Sequence, residues 1–304
     1  MSREAYAEQH PEDRAPDDLT DEQIDDLVLY EVVDEHIAVI TLNRPERRNA
    51  LLYPYSLQEL GRKVARADDD DNIKVIVLTG SGGSFCSGVD LRRTPVEAAG
   101  QRPDGKLPQS KRMHQWKHPT SMILDCDKTV ICAVDGPCVA GGFNYAIQAD
   151  MIIASESARF GEPEARIGYA GFSVSFPILA LKAGVNRARS MLLTGRMVPA
   201  EEMERWGVVE SVVPSESLMD EALRYARAVA WHSTDNLMIG RRSVRLFWSL
   251  MGVGAYQDFV SVAQPLFTNV VWREDEFNFL RERNSLGVKG AMREMTRQWD
   301  EFGF

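Results

Sequence analysis

The sequence predicts an α/β fold followed by a helical region, and two observations carry this prediction. Short apolar runs rich in β-branched residues alternate with helical stretches as far as about residue 214, whereas from residue 215 the apolar spacing is wholly helical. The predicted strands lie at Lys74–Gly80, Thr129–Gly136, Asp150–Ser155 and Val208–Pro214. The predicted C-terminal helices lie at Glu221–His232, Leu237–Phe247, Ala255–Leu266, Glu274–Asn284 and Gly290–Phe302.

A hairpin and a helix precede these strands. The segment Leu27–Asn43 predicts two β-strands that turn near Asp34 and Glu35, because β-branched residues occur on both arms. The segment Ser56–Asp70 predicts an amphipathic helix that ends in a run of aspartates. Its apolar positions are Leu57, Leu60 and Val64.

Charge separates an N-terminal leader from the rest of the chain. The formal net charge is −10, but residues 1–30 alone hold ten acids against two arginines. We therefore predict that residues 1–26 form a solvated tail with one short helix, at Ile24–Val28. The leader lacks the apolar run of a secretion signal and is too acidic for a mitochondrial transit peptide. No run approaches the roughly 18 apolar residues of a membrane span, so we predict a cytoplasmic protein with no membrane or nucleic-acid partner.

The cysteines and histidines indicate neither disulfides nor a metal site. The cysteines lie in or beside apolar segments without C-x-x-C spacing, which predicts reduced, buried thiols. The five histidines form no ligand pattern, so we predict no metal. The cysteines are Cys86, Cys126, Cys132 and Cys138.

Two glycine-bearing turns are the most informative feature of the chain. The segments Ser84–Leu91 (SFCSGVDL) and Gly136–Asn144 (GPCVAGGFN) each follow a predicted strand and open a predicted helix. Such a turn leaves backbone N–H groups unpaired. Two turns side by side would direct two amides at one oxygen, which stabilises charge that develops on a carbonyl. The pair therefore predicts an oxyanion hole.

Two further motifs, one for dinucleotide binding and one for the nucleophile of an α/β-hydrolase, are each excluded by one residue. A dinucleotide fingerprint beginning at Gly80 would need glycine where Phe85 stands. The segment Gly171–Ser175 (GFSVS) has serine in place of the last glycine of a G-x-S-x-G elbow, so it does not support an α/β-hydrolase.

Four motifs in order resemble those of the crotonase (enoyl-CoA hydratase/isomerase) superfamily, over roughly residues 28–214. They are Ile40–Leu51 (ITLNRPERRNAL), Ser84–Leu91, Ala133–Ser155 and Ala158–Gly171 (ARFGEPEARIGYAG). The resemblance implies a ββα spiral core at residues 27–214 that binds an acyl-CoA thioester. It also implies a helical trimerisation region at residues 215–304, in a homotrimer or a dimer of trimers. No permanently bound cofactor is implied, since coenzyme A belongs to the substrate.

The resemblance also implies roles for particular residues. The N–H groups of Ser87 and Gly141 would form the oxyanion hole, and Glu164 and Asn144 occupy the positions of two catalytic carboxylates. The residues implied in contact with the thioester or with coenzyme A are Arg48, Ser87, Gly88, Val89, Asp90 and Gly141.

Asparagine at position 144 leaves the reaction open. An amide takes up no proton at neutral pH but can orient a water molecule. A hydratase or hydratase-lyase would use Glu164 as acid/base, and an isomerase would use Glu164 to carry one proton between carbons. A C–C or ester hydrolase would need another base from His114, His118 or Asp135. The remaining alternative is an acyl-CoA binder without activity; we favour the hydratase.

The stretch Arg92–His118 is long, polar and basic, with seven Lys and Arg residues against Glu97 and Asp104. It is either a solvated surface loop or, because it follows the first oxyanion turn, a contact for the phosphates of coenzyme A. The sequence does not decide between the two.

Overall fold

The computed structural model describes residues 19–93, 121–167, 175–263 and 272–303. Within these ranges the strands are β1 (Val28–Val33), β2 (Ile37–Leu42), β3 (Val75–Gly80), β4 (Thr129–Val134), β5 (Pro137–Val139), β6 (Met151–Ser155), β7 (Arg159–Gly161), β8 (Val198–Pro199) and β9 (Ser211–Val213). The helices are α1 (Asp21–Asp25), α2 (Tyr55–Asp69), α3 (Met122–Asp125), α4 (Gly141–Gln148), α5 (Phe176–Ala183), α6 (Val185–Thr194), α7 (Ala200–Arg205), α8 (Leu218–Ala230), α9 (Thr234–Leu250), α10 (Val253–Ala263) and α11 (Phe279–Asp300). Short 3-10 helices lie at Pro45–Arg47, Leu91–Arg93, Pro163–Ile167 and Ser215–Ser217.

The main sheet has six strands in the order β1-β2-β3-β4-β6-β9. The β1–β2 hairpin is antiparallel and turns at Asp34 and Glu35, both of which have positive φ, whereas the other neighbours pair in parallel. The predicted hairpin and the predicted α/β class are confirmed.

The main sheet is buried on both faces, as parallel strands require. In β3, Ile76 and Leu78 pack in the larger core beside α2, whereas Val75 and Val77 pack beneath α8. Alanines make up much of the α8 face, which lets this helix lie close to the strands. Its buried positions are Leu218, Ala222, Ala226 and Ala230. Helix α8 therefore belongs to the packed core, although the predicted boundary after residue 214 grouped it with the C-terminal region.

A second, three-stranded sheet in the order β5-β7-β8 lies beyond the ends of β4 and β6. Strands β5 and β7 are parallel, and β8 is antiparallel to β7. Strand β5 leads directly into α4, and β7 leads directly into the 3-10 helix Pro163–Ile167. This small sheet therefore places two helix starts side by side.

The predicted leader helix was wrong in position. Helix α1 begins at Asp21 because Thr20 caps it, and the Gln23 side chain completes a capping box. Val28 is instead the first residue of β1, fully buried and paired with Leu42.

The last two predicted helices correspond to the two parts of α11, which non-helical backbone angles at Gly287 (φ 70°, ψ 171°) divide by a kink. Helices α9 and α10 correspond to the two predicted before them.

Asn49 joins the β2–α2 connection to the turn after β3. Its Oδ1 accepts the Arg44 N–H at 2.8 Å, and its Nδ2 donates to the carbonyls of Ser81 (2.9 Å) and Ser84 (2.6 Å). Asn49 is 2% exposed and has a φ of 54°, which asparagine tolerates better than most residues. One side chain therefore fixes the first glycine-bearing turn against the neighbouring loop.

We expect Asn49→Ala to lower the free energy of unfolding by about 3 kcal/mol, because three buried hydrogen bonds contribute about 1 kcal/mol each. Urea unfolding at one fixed protein concentration measures this. Asn72→Ala is the matched control, because Asn72 is exposed and its side chain makes one hydrogen bond, to Asp70. Equal midpoints for the two variants would contradict the role given to Asn49.

Candidate active site

The two glycine-bearing turns lie against each other through their backbones. Cys86 and Cys138 form an isolated parallel bridge, in which Cys86 N–H donates to Pro137 O and Val139 N–H donates to Cys86 O, both at 2.9 Å. Leu51 pairs in the same way with Val89. Three segments that are far apart in the chain therefore meet at one place.

Glycine is required at two positions of this contact. A Cβ on Gly88, whose φ is 86°, would lie 2.9 Å from Ala140 Cβ, and a Cβ on Gly142 would lie 2.6 Å from Cys86 Cβ. Neither distance is sterically acceptable. Ala140, between the turns, has an unusual backbone conformation (φ 52°, ψ −119°), and its N–H donates to Gly161 O at 2.8 Å. Such strain is retained where the surroundings determine the backbone.

Among the described residues, the backbone amides of Val89 and Gly141 at this contact have no acceptor, and neither has that of Gly142, the second residue of α4. Gly141 is the first residue of α4, so its N–H has no partner within the helix. A Cβ on Gly141 would lie 4.0 Å from both Gly88 Cα and Val89 Cγ2, which places the two turns in contact. The Ser87 N–H, predicted from the sequence as the second donor, instead donates to Arg48 O at 3.0 Å.

Asn144 lies one turn into α4, on the same face as Gly141. Its Oδ1 accepts the Ser175 N–H at 3.1 Å. Because a backbone N–H can only donate, this bond fixes which side of the amide carries the oxygen. The side-chain NH2 of Asn144 consequently faces the other way and acts as a donor.

Glu164 is in the 3-10 helix Pro163–Ile167, which directly follows β7. The Gly161 carbonyl at the end of β7 accepts the Ala140 N–H, so Glu164 is three residues from a direct contact with the oxyanion turn. Its Oε2 is buried and has no hydrogen-bond partner among the described residues. Burial raises the pKa of Glu164 to about 8, and the charge of Glu162 acts in the same direction. At neutral pH, Glu164 therefore holds a proton in an apolar setting.

The C-terminal helix α11 packs beside this site in the same chain. Phe279, Leu280 and Ala291 form an apolar cluster with Leu91 and Ile167, which belong to the two 3-10 helices next to the turns. The fully buried Arg283 donates to Leu91 O at 2.7 Å. A region predicted to mediate trimerisation thus also covers its own chain's candidate site.

Asp90, predicted to line the thioester, is held by two arginines. Arg44 contacts its Oδ2 at 3.3 Å, and Arg92 bonds to both carboxylate oxygens. Burial acts to raise the pKa of Asp90, but Arg92 and Arg44 outweigh it, so the pKa lies below its usual value. Asp90 is therefore a permanent anion that orients these guanidinium groups. Arg48 is exposed on the neighbouring loop and contributes its carbonyl to Ser87.

Asp135 is not suited to act as a base. Its Oδ1 accepts the hydroxyls of Ser155 (2.6 Å), Ser157 (2.7 Å) and Ser215 (3.0 Å). Burial acts to raise the pKa of Asp135, but these hydroxyls hold it below its usual value. The other proposed bases, His114 and His118, and most of the basic stretch Arg92–His118 lie outside the described residues.

The cysteines are all free and buried, as predicted. Burial raises the pKa of Cys86 and of Cys126 to about 12, so these thiols remain protonated. In the described part of the chain, no three His, Cys, Asp or Glu residues are grouped as metal ligands. Among the same residues, no helix is long and apolar enough to cross a membrane.

Two residues of the site, Glu162 and Ser175, were missed in the sequence, and Val89 was expected to contact the substrate but not to offer the free amide. Val89 follows the positive-φ Gly88. Whether the Val89 N–H has an acceptor depends on which segments pair with its backbone, and a local sequence pattern does not show this. Glu162 and Ser175, both buried, contact each other. The only sequence signal for Glu162 was that it precedes Glu164 in the segment GEPE, which holds two acids.

Comparison with known proteins identifies the family. The family model described as enoyl-CoA hydratase/isomerase matches residues 33–245. A mevalonyl-coenzyme A hydratase of Beauveria bassiana is 39% identical over 217 residues, which cover 70% of this chain and 76% of the relative. An (E)-benzylidenesuccinyl-CoA hydratase of Thauera aromatica is 38% identical over 206 residues, 65% of this chain and 74% of the relative.

The fold agrees as well. The crystal structure of an enoyl-CoA hydratase/isomerase from Xanthobacter autotrophicus Py2 superposes with a TM-score of 0.76 at 29% identity, covering 90% of this chain and 98% of that one. With the paired turns, the fold and these relatives in agreement, the chain belongs to the enoyl-CoA hydratase/isomerase family, the crotonase superfamily.

Proposed function

We propose that the protein is an enoyl-CoA hydratase, or a hydratase-lyase that begins with the same step. The observation that carries the proposal is a carboxyl group with a raised pKa and a buried, unpartnered Oε2, that of Glu164, in a segment hydrogen-bonded to the turn that holds backbone amides without acceptors. These are the groups that addition of water to a 2-enoyl-CoA thioester requires: donors for the thioester oxygen and one group that carries protons.

The oxyanion hole stabilises the enolate. Val89 N–H and Gly141 N–H donate to the thioester oxygen, and their contribution grows as charge develops there. The positive end of α4 adds to the field at that oxygen. Because both amides belong to turns held by backbone pairing, they need no rearrangement when the substrate arrives.

Glu164 and Asn144 handle the water. As the water oxygen bonds to C3 of the substrate, the π electrons move toward the thioester oxygen, and Glu164 gives its proton to C2. The proton lost by the water returns to Glu164. Asn144 holds the water through its NH2 group, which leaves the water's own protons for the carboxyl group. This sequence needs no cofactor besides the coenzyme A of the substrate.

An isomerase is the second candidate, because a single carboxyl group suffices to move one proton between two carbons. The relatives favour hydration, since they are named as hydratases. A hydrolase is less well supported, because Asp135 is bound by three serine hydroxyls.

The relatives suggest where to look for the acyl group. Two of them are named for mevalonyl-CoA and for (E)-benzylidenesuccinyl-CoA, and both acyl groups are larger and more substituted than a straight short chain. A panel of these two esters together with short and long 2-enoyl-CoA esters, followed by mass analysis, identifies the substrate.

With that substrate, we expect oxygen from labelled water to appear in the product. Glu164→Gln should lower turnover by about 100-fold or more, because general acid/base groups contribute at least this much. Affinity for the CoA ester, measured by calorimetry, should change little, since glutamine keeps the shape of the side chain. A product of unchanged mass without labelled oxygen would contradict hydration and favour the isomerase. Full activity in Glu164→Gln would remove this residue from the mechanism.

The oxyanion hole is tested at Gly141. Gly141→Pro removes the N–H and should cost about 3 kcal/mol of transition-state stabilisation, which is roughly a 100-fold lower kcat. Gly141→Ala is the matched control: it keeps the N–H, and its Cβ would meet only the mobile end of Leu51, at 3.1 Å. Circular dichroism and thermal unfolding establish that both variants fold. Equal rates for folded Gly141→Pro and Gly141→Ala would refute the hole.

We also propose that the protein assembles as a homotrimer or as a dimer of trimers. Helix α9 carries an apolar stripe at helical spacing that the described part of the chain leaves exposed: Ile239 (69% exposed), Leu246 (60%) and Leu250 (77%). A continuous exposed stripe of this kind marks an interface more often than a free surface. A second and third copy of the chain are the occupants that we propose.

Replacing Leu246 and Leu250 together by arginine should therefore shift the assembly to monomers, because charges would be buried in the contact. Sedimentation velocity at micromolar concentration measures the change. Leu29→Arg, on the edge strand β1, is the control and should leave the assembly intact. A monomeric wild-type protein, or an unchanged double variant, would contradict the proposed interface.

A further inference from the structure

Glu162 is a second buried carboxyl group next to the candidate catalytic glutamate. It is 2% exposed and directly follows Gly161, whose carbonyl holds the strained Ala140. Only Pro163 separates it from Glu164. The position that the resemblance gives to a second acid, residue 144, holds an amide, whereas Glu162 is the acid whose charge acts on Glu164 among the described residues.

A chain of hydrogen bonds joins Glu162 to Asn144. The Ser175 hydroxyl donates to Glu162 Oε1, and the Ser175 N–H donates to Asn144 Oδ1 at 3.1 Å. Ser175 is completely buried and stands immediately before α5, where its side chain makes no capping hydrogen bond and is directed to Glu162 instead. One serine thus ties the orientation of the Asn144 amide to the position of the Glu162 carboxyl group.

The surroundings of Glu162 favour its ionised form. A hydroxyl donor stabilises a carboxylate, and the adjacent start of α5 presents the positive end of a helix. Two ionised carboxylates on neighbouring residues of a buried segment repel each other, so one of them keeps its proton, and the charge of Glu162 acts to raise the pKa of Glu164. Glu164 has no donor on its Oε2 and is the one that does so.

The other charged and titratable groups near this pair do not change that assignment. Arg166, in the same 3-10 helix as Glu164, is turned toward α11: its guanidinium lies 4.9 Å from the ring centre of Trp299, and the charge of Asp300 acts on it. Tyr256, on α10, packs against Phe176 at 5.9 Å between ring centres. Burial raises the pKa of Tyr256, and the charge of Glu162 adds to this, so Tyr256 is a neutral neighbour.

We propose that Glu162 is the second acid of this active site, acting as a positioning residue: its carboxylate keeps Glu164 in the protonated form and, through Ser175, holds the Asn144 amide in place. It touches neither the substrate nor the water. The inference rests on the proposed hydration, in which Glu164 must begin the cycle with a proton. It explains how a site with an amide at position 144 still has its acid ready at neutral pH.

The experiment compares wild type with Glu162→Gln, which removes the charge but keeps an oxygen that can accept the Ser175 hydroxyl. Infrared spectra of the carboxyl C=O band, assigned with Glu164→Gln, follow the titration of Glu164 without any substrate. In the wild type we expect a midpoint near pH 8. In Glu162→Gln it should fall by about one unit, the order expected for loss of a neighbouring like charge.

The pH profile of kcat/KM provides the second measurement. Because Glu164 must be protonated to act as the acid, the rate falls as the pH rises through its pKa, and this fall should move to lower pH by the same amount. Ser175→Ala removes only the hydroxyl, so it should move both midpoints in the same direction by a smaller amount. If Glu162→Gln does not fold, Ser175→Ala alone tests the proposed role of Glu162.

Glu59→Gln is the matched control, because Glu59 is equally buried, at 2% exposed, but lies in α2 and pairs with Arg62 and Lys63. It should leave both midpoints unchanged. An unchanged Glu164 midpoint in folded Glu162→Gln and in Ser175→Ala would overturn the inference. Because the infrared titration needs no substrate, a shifted midpoint without turnover on any acyl-CoA ester would refute the proposed hydration alone.

Discussion

The candidate site depends on the close approach of two backbone turns, at residues 86–89 and 139–142. Backbone pairing between Cys86 and Cys138 draws them together, and the approach leaves no room for a Cβ on Gly88 or Gly142. This contact leaves the amides of Val89 and Gly141 without acceptors and fixes the start of α4. It also forces Ala140 into a strained conformation, which the hydrogen bond to Gly161 retains. Through that bond, the segment that carries Glu162 and Glu164 is joined to the same point.

The electrostatics of the site depend on the burial of two acids, Glu162 and Glu164. A lone buried carboxyl group keeps its proton because charge is poorly solvated there, and a charged neighbour strengthens the effect. Glu164 experiences both influences, whereas Asp90 and Asp135 have arginines or hydroxyls as partners, which hold their pKa values below the usual range. These partners separate the structural anions from the proton carrier.

Much of the site could be predicted from the sequence because its residues stand next to features with strong local signals. Gly141 follows an apolar strand and precedes a helix, and Glu164 lies in a segment that resembles a family motif. Ser87 illustrates the limit: its position in the turn was right, but its N–H donates to Arg48 O, so the available amide is that of Val89. The local sequence pattern is the same whether Ser87 or Val89, two residues further along the turn, has the free amide.

The sequence by itself determined the six strands of the main sheet, most of the helices and the two turns, and it indicated the candidate acid, because hydrophobic periodicity and glycine placement act over a few neighbouring residues. Only the tertiary structure decided which amides remain unpaired, that α11 lies beside the site of its own chain, and that Glu162, Ser175 and Asn144 form one hydrogen-bonded chain. Residues 144, 162 and 175 come from three separate elements. Their contacts arise from how α4, β7 and α5 pack together, and no local pattern in the sequence records that arrangement.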